Sequence, residues 1–262
     1  MKSAWLGGQV SARATCVLAP NPGPMTLDGT NTWVLIEPGA SVAVVIDPGP
    51  DDARHLSSVC DLVVGRGAAV ASIVLTHGHA DHSAGAASFA AMTGAPVRAL
   101  AAAHQLGEEG LAGGDVISVG GLRLEVVATP GHTSDSLSFV LPADGALLTG
   151  DTVLGRGSTV VAHPDGRLDD YLGSLERLQH TVSSDAPVML LPGHGPVLSD
   201  AAAAIEHCLA HRRQRLDQVR AAIAAGAVNA RQVVEVVYAD VDSALWPAAE
   251  MSVRAQLEYL RQ

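Results

Sequence analysis

Thr76-His77-Gly78-His79-Ala80-Asp81-His82 places three imidazoles and a carboxylate within six positions, directly after the apolar run Ile73-Val74-Leu75. A strand points successive side chains to opposite faces, so His77 and His79 share one face as a strand ends. If a helix follows, Asp81 and His82 fall on its first turn and aim back at the same point. Imidazole and carboxylate are the donors that borderline divalent cations such as zinc prefer, and two adjacent cations need about this many. The plain alternative is a His-rich solvated loop. Four ligand-type side chains in six residues argue against it.

Three later segments repeat an apolar run followed at once by a ligand-type residue. Leu122-Arg123-Leu124-Glu125-Val126-Val127 leads to Thr129-Pro130-Gly131-His132, and Ala146-Leu147-Leu148 to Thr149-Gly150-Asp151. Val188-Met189-Leu190-Leu191 leads to Pro192-Gly193-His194. Glycine and proline beside each ligand suit tight turns in which the backbone leaves a sheet sharply. Sites in layered α/β proteins collect at the C-terminal ends of strands, where all of these residues stand.

The elements that must position them follow from the patterning. Strands are expected near 14–18, 32–36, 42–46, 71–75, 96–99, 115–119, 122–128, 136–141, 145–149 and 188–192, with helices over about 52–63, 83–92 and 169–182. From about 199 the character changes. Residues 200–225 read as one long helix ending at Gly226, Asn229 caps a second through about Tyr238, and Pro247 suits the first turn of a third.

These four motifs, with Asp47 after its own apolar run as a fifth, resemble those of the metallo-β-lactamase fold superfamily over roughly positions 13–200. The resemblance implies a four-layer αβ/βα sandwich, of α/β class, with a dinuclear metal site at one edge. By that likeness His77, His79 and His132 hold one metal, Asp81, His82 and His194 the second, and Asp151 bridges them. Asp47, which ends Val42-Ala43-Val44-Val45-Ile46, matches an acidic residue that supports such a site from behind; an ordinary Asp-Pro-Gly turn explains it equally well. The tail resembles the small all-α winged-helix-like domain of the β-lactamase-like protein 2 branch, whose best-described member is a mitochondrial single-strand endoribonuclease. Met25-Thr26-Leu27-Asp28-Gly29-Thr30-Asn31-Thr32 and the stretch from Gly150 to Thr159 extend that likeness. The expected division is 1–199 for the catalytic domain and 200–262 for the helical one, without a wing hairpin before Gln262.

The function this implies is hydrolysis. Two divalent ions, zinc first and iron or manganese as alternatives, lower the pKa of a bridging water from about 15.7 toward neutrality and so generate hydroxide. Asp81 is the candidate to orient that nucleophile and receive its proton, and Asn31, Ser158, Thr159 and His163 are candidates to line the substrate cleft. The remaining histidines, His55, His104, His180, His207 and His211, stand alone, and Arg212, Arg213, Arg215 and Arg220 read as a solvated helix face, with a phosphate contact as the alternative.

Composition bounds the substrate and the setting. The net charge is −11, and residues 1–199 carry 9 basic and 19 acidic side chains against 7 and 8 in 200–262. That gives no basic excess for a phosphate backbone. The first expectation is cleavage of single-stranded RNA by the likeness above. The second is a thioesterase or small-molecule ester hydrolase like glyoxalase II. β-Lactamase activity ranks lower because such enzymes generally lack a carboxylate at the position of Asp151, and a non-catalytic metal-stabilised interaction protein ranks lower because structural sites usually close at four ligands. No window holds the eighteen or so apolar residues of a membrane span, and the first eight residues lack a signal peptide's apolar core. Three unpatterned cysteines, Cys16, Cys60 and Cys208, suit a reducing cytoplasm. The tail offers a surface for homodimer contact.

Overall fold

Val44 and Ile46 of the strand Val42–Ile46 face one core while Ala43 and Val45 face another. A run that is apolar on both faces has to be covered on both, and the chain meets that demand with layers. The computed structural model describes residues 4–183 and 189–261. Strands β1 (Gly8–Gln9), β2 (Ala14–Leu18), β3 (Asn31–Leu35), β4 (Val42–Ile46), β5 (Ala69–Val74) and β6 (Val97–Arg98) form a sheet in the order β1-β2-β3-β4-β5-β6. Strands β7 (Val116–Val119), β8 (Leu122–Ala128), β9 (Leu137–Leu141), β10 (Ala146–Gly150) and β11 (Met189–Pro192) form a second sheet in the order β11-β10-β9-β8-β7. The pairs β4–β5, β5–β6 and β10–β11 are parallel; the others are antiparallel. Val188, the first residue of the expected last strand, lies outside the described residues, as do the first three residues of the N-terminal segment.

The two sheets pack face to face. Trp33, Leu35, Val44, Ile46 and Val74 from the first meet Leu124, Val126, Leu137, Phe139, Leu148 and Leu191 from the second. Helices α1 (Ala53–Gly65) and α3 (Ala86–Thr93) cover the outside of the first sheet, with Leu56, Val59, Val63 and Phe89 against Val34, Val45 and Ile73. Helices α4 (Leu168–Ser183) and α5 (Ala201–Ala224) cover the outside of the second, with Tyr171, Leu175, Leu178, Ile205 and Leu209 against Val140, Leu147 and Leu190. Helix, sheet, sheet and helix make the four expected layers.

The expected helix over 83–92 is two helices, α2 (Ala80–Ser83) and α3. The break is at Gly85, whose amide donates to Gly49 O at 2.9 Å. A Cβ there would lie 2.9 Å from Pro50 O, so the loop after β4 occupies the space a continuous helix would need. Past α5, α6 (Ala230–Val237) and α7 (Trp246–Tyr259) close a small core of Val219, Val233, Val234, Val237 and Val253. Asn229 caps α6 as expected, its Oδ1 accepting from Gln232 N at 3.0 Å. No helix among the described residues is long and apolar enough to cross a membrane.

Candidate metal centre

Every ligand-type residue singled out in the sequence stands just past a strand at one edge of the sandwich. His77 follows β5, His132 follows β8, Asp151 follows β10 and His194 follows β11. Backbone bonds between the segments hold the ring of loops together: Leu137 N donates to Thr76 O at 2.7 Å, Gly193 N to Gly150 O at 2.8 Å and Asn31 N to Gly193 O at 2.8 Å. Two glycines are required here. Gly131 has φ +133°, and a Cβ on it would fall on the Tyr171 backbone. A Cβ on Gly193 would strike Asp151 Oδ1 and lie 2.8 Å from His82 Cε1.

The imidazoles converge through particular nitrogens. His77 Nε2 and His132 Nε2 each lie 3.0 Å from His79 Nδ1. His82 Nε2 lies 3.2 Å from His194 Nε2, and Asp81 Oδ2 lies 3.1 Å from His194 Nε2 and 3.4 Å from His82 Nε2. The donor-to-donor edge of a tetrahedron around zinc, with Zn–N of about 2.0–2.1 Å, is roughly 3.3–3.4 Å. The spacings fit cations seated between the donors. Asp151 reaches both groups: its Oδ2 lies 3.3 Å from His194 Nε2 and 3.7 Å from His132 Nε2, and its Oδ1 3.5 Å from His82 Nε2. That Oδ1 is buried without a hydrogen-bond partner, which is costly for a carboxylate unless a cation completes it.

The opposite ring nitrogens are anchored, as ligating histidines need. His132 Nδ1 lies 2.6 Å from Val160 O and His194 Nδ1 3.1 Å from Gly29 O. His82 Nδ1 lies 2.8 Å from Asp47 Oδ2 and His77 Nδ1 3.0 Å from Thr76 Oγ1. Carbonyl and carboxylate acceptors make these nitrogens the N–H side and leave Nε2 as the lone-pair donor. Asp47 is buried and adopts φ +52°, a left-handed conformation that Asp tolerates better than most residues. It also accepts from Thr76 N and Thr76 Oγ1, both at 2.7 Å. Asp47 thus stands in a turn and braces the His82 ring from behind.

Without a cation the charges divide the site. Burial pushes the His77 and His132 rings below the ordinary imidazole range, so they are neutral and ready to donate. Burial also works against charge on His194, but the Asp151 carboxylate and hydrogen bonds to Asp151 and Asp81 override it and raise the ring to about 10. His82 is raised as well, because Asp151 and Asp47 outweigh its burial. Asp81 falls to about 2: burial opposes the shift, and the His194 hydrogen bond and nearby His82 charge prevail. The protons that His82 and His194 carry stand where a divalent cation would.

A cleft of about 350 Å³ opens from His132 and Asp151. Pro24, Met25 and Leu27 form one wall, the 154–160 loop another, and α5 with the segment from Tyr238 to Ser252 the roof. Ser158 and Thr159 line it as expected, and Thr159 Oγ1 donates to Asp151 O at 2.5 Å. Asn31 and His163 do not line it. The Asn31 amide is buried and donates to Pro192 O and Gly195 O, both at 2.9 Å, holding the loop that carries His194. At His163 the chain has already left the cleft for a smaller cavity beside Arg167, Ala255 and Tyr259.

A family model described as the metallo-beta-lactamase superfamily matches residues 25–194, the span that holds every one of these ligands. The chain belongs to that superfamily. A second model, the beta-lactamase associated winged helix domain, matches residues 230–262. A Drosophila melanogaster member named beta-lactamase-like protein 2 homolog is 31% identical over 264 residues, covering 94% of this chain and 87% of its own length. An Aspergillus fumigatus protein named atrochrysone carboxyl ACP thioesterase is 33% identical over 219 residues, covering 82% of this chain and 66% of its own. The crystal structure of a beta-lactamase domain protein from Burkholderia ambifaria superposes with a TM-score of 0.80 at 24% identity, over 97% of this chain and 87% of that one. Like other metallo-β-lactamase superfamily members named for hydrolytic activity, this chain is a hydrolase with His/Asp clusters suited to metal ions.

Three further cleft residues, Arg212, Arg215 and His211, escape the patterning. Arg212, read as part of a solvated face, is only 5% exposed. Its signal is present in the sequence: Ala201, Ile205, Leu209, Arg212, Leu216 and Val219 form the buried stripe of α5 at three- and four-residue spacing, and Arg212 is the one charge in it. His211 lines the cleft with its Nδ1 3.2 Å from Ser158 Oγ. Arg213 and Arg220 do lie on the solvated face, beside Glu176 and Asp217.

Proposed function

We propose that the protein hydrolyses esters or thioesters of small apolar acyl groups at a centre of two divalent ions, zinc first among them. The carrying observation is the cleft: apolar walls of Pro24, Met25, Leu27, Leu154, Val160, Val241 and Leu245 lead to His132 and Asp151. Its volume sits at the small end of ligand sites and admits on the order of ten heavy atoms at roughly 30 Å³ each. His77, His79 and His132 would hold one ion, Asp81, His82 and His194 the other, and Asp151 would touch both. When bound, such ions supply Lewis acidity that activates a water and polarises the scissile carbonyl.

The protein's own residues then orient and move protons. Asp81 is 29% exposed at its side chain, and its Oδ2 accepts from Thr30 Oγ1 at 3.3 Å. Its other oxygen is the place for a water proton to rest before it passes to the leaving sulfur or oxygen. Asp47 and Val160 O hold the His82 and His132 rings so that Nε2 faces inward. The apolar walls exclude bulk water around the acyl chain, which strengthens every charge interaction at the reacting carbonyl.

A second reading, phosphodiester cleavage in single-stranded RNA, draws on Arg156, Arg212 and Arg215 along the same cleft. Arg156 is already paired with Asp28. A strand-binding groove also needs open aromatic platforms, and the Tyr238 ring is covered by the Arg215 guanidinium at 4.7 Å. Metal content measured alongside three substrates decides between them: a glutathione thioester, a chromogenic cephalosporin and labelled single-stranded RNA. Chelator-sensitive thioester turnover is expected. Cleavage of RNA alone by the metal-loaded protein would overturn the acyl reading in favour of the second.

A further inference from the structure

Arg212 is a buried charge with no counterion among the described residues. Its guanidinium offers five N–H donors, and its contacts are to neutral groups: Nη2 donates to Thr159 O, and Cζ sits 4.9 Å from the centre of the Tyr171 ring. Arg215, half-buried one turn further along α5, donates to Gln218 Oε1 at 2.9 Å and Val237 O at 2.8 Å. Neither pairs with a carboxylate among the described residues. Both line the cleft, as does His211, whereas Asp151 is the one carboxylate on its walls among the described residues. In a chain of net charge −11, this is a local positive end to an otherwise apolar chamber.

Removing an arginine from water is expensive unless something satisfies its charge. A single carbonyl and one ring face bring no opposite charge to it. The remaining donors of a planar fork match a carboxylate or phosphate, two oxygens at a time. Arg212 also bears on the reacting end: it holds Thr159 O, and the Thr159 hydroxyl holds Asp151 O. An anion docked on Arg212 and Arg215 is therefore registered against the metal ligands through one residue.

We infer that the substrate is an acyl ester or thioester carrying a negatively charged group, which Arg212 and Arg215 bind at the C-terminal end of the cleft. This rests on the acyl reading above and narrows it. The source of the charge is either a carboxylate on the acyl half or a phosphate on the thiol half, and paired substrates separate the two. One pair is the N-acetylcysteamine thioester of glutaric acid and the same compound with its free carboxylate methylated. The other is the S-pentanoyl thioester of 2-mercaptoethyl phosphate and that of 2-mercaptoethanol.

Wild-type protein loaded with zinc should show a kcat/KM about 10- to 100-fold higher for the charged member of one pair, the range a charge-assisted hydrogen bond supplies. In Arg215→Gln that ratio should fall to within about threefold of unity, through KM more than kcat, and Arg212→Lys should retain more of it than Arg212→Gln. A merely structural arginine would lower both members equally and leave the ratio standing, which would overturn the inference. So would equal turnover of charged and neutral members by the wild type, although the acyl reading would then survive. Turnover of no thioester, with RNA cleaved, would remove both. Because the wild-type ratio is decisive by itself, an Arg212 variant that fails to fold does not protect the idea.

Discussion

Replacing Asp47 with Asn tests whether this buried carboxylate governs one half of the metal centre. Asp47 Oδ1 accepts from Thr76 N, and its Oδ2 from Thr76 Oγ1 at 2.7 Å and from His82 Nδ1 at 2.8 Å. An amide can keep the bond from Thr76 N, but its NH2 then faces both other donors. The Thr76 hydroxyl can turn to accept. His82 Nδ1–H cannot, unless the proton moves to Nε2 and blocks the ligand atom. The loss is one hydrogen bond to a charged group, about 1.5–3 kcal/mol, or roughly a ten- to hundredfold weaker hold on a cation at His82, Asp81 and His194. Asn tolerates the left-handed backbone at this position as Asp does, so strain does not confuse the result. Titration of the chelator-stripped protein with zinc against a chromophoric competitor reads the effect. The His82 step should weaken by that factor, and the step at His77, His79 and His132 should move by less than about threefold. Coincident titrations of variant and wild type would refute the argument.

Three other outcomes follow from the same geometry. Asp151→Ala should lose at least about a hundredfold in turnover and bind one zinc fewer per chain by elemental analysis, since this carboxylate reaches both ligand groups; near-wild-type turnover with two zincs retained would sink its bridging role. In the cation-free protein, His194 is raised from 6.5 to about 10, so its stabilising contribution is complete below 6.5 and disappears as pH climbs through 10. The stability difference between wild type and His194→Gln should therefore shrink from about pH 7 to pH 10, while zinc affinity rises as that proton becomes easier to displace. Urea midpoints and zinc titrations across that window check both, and flat profiles would contradict the assignment. Gly131→Ala should destabilise by about 2–5 kcal/mol in urea unfolding, combining a backbone conformation that side chains avoid with a collision on the Tyr171 backbone. A change under about 1 kcal/mol would show that the turn relaxes freely.

The candidate metal ligands are legible because His77, His132, Asp151 and His194 each follow an apolar run with a glycine beside them, and such runs have few ways to pack. Short apolar runs place strands β2 to β11 to within about two residues for the same reason, whereas β1 (Gly8–Gln9) carries no such signal. What stays hidden depends on distant partners. Gly85 interrupts a good helical pattern only because the Gly49 carbonyl is there to take its amide. Asn31 and His163 carry ligand-like chemistry, yet one is bound up with Pro192 and Gly195 and the other has left the cleft. Arg212 is masked because four arginines in nine residues look solvated as a group, although its place in the stripe from Ile205 to Val219 marks it out.

Helix α5 belongs to two cores at once. Its first half seats Ala201, Ile205 and Leu209 against the catalytic sandwich, and its end contributes Val219 and Ala222 to the small bundle with α6 and α7. The helix is thus a shared spine, and the expected division at 199/200 falls at its foot rather than at a hinge. Exchange of the chain beyond Ala224 would remodel the roof of the chamber while leaving Arg212 in place, provided the bond from Val161 N to Ser252 Oγ, next to the Val160 carbonyl that anchors His132, is kept. A change of substrate can thus be made at that junction, away from the reacting atoms.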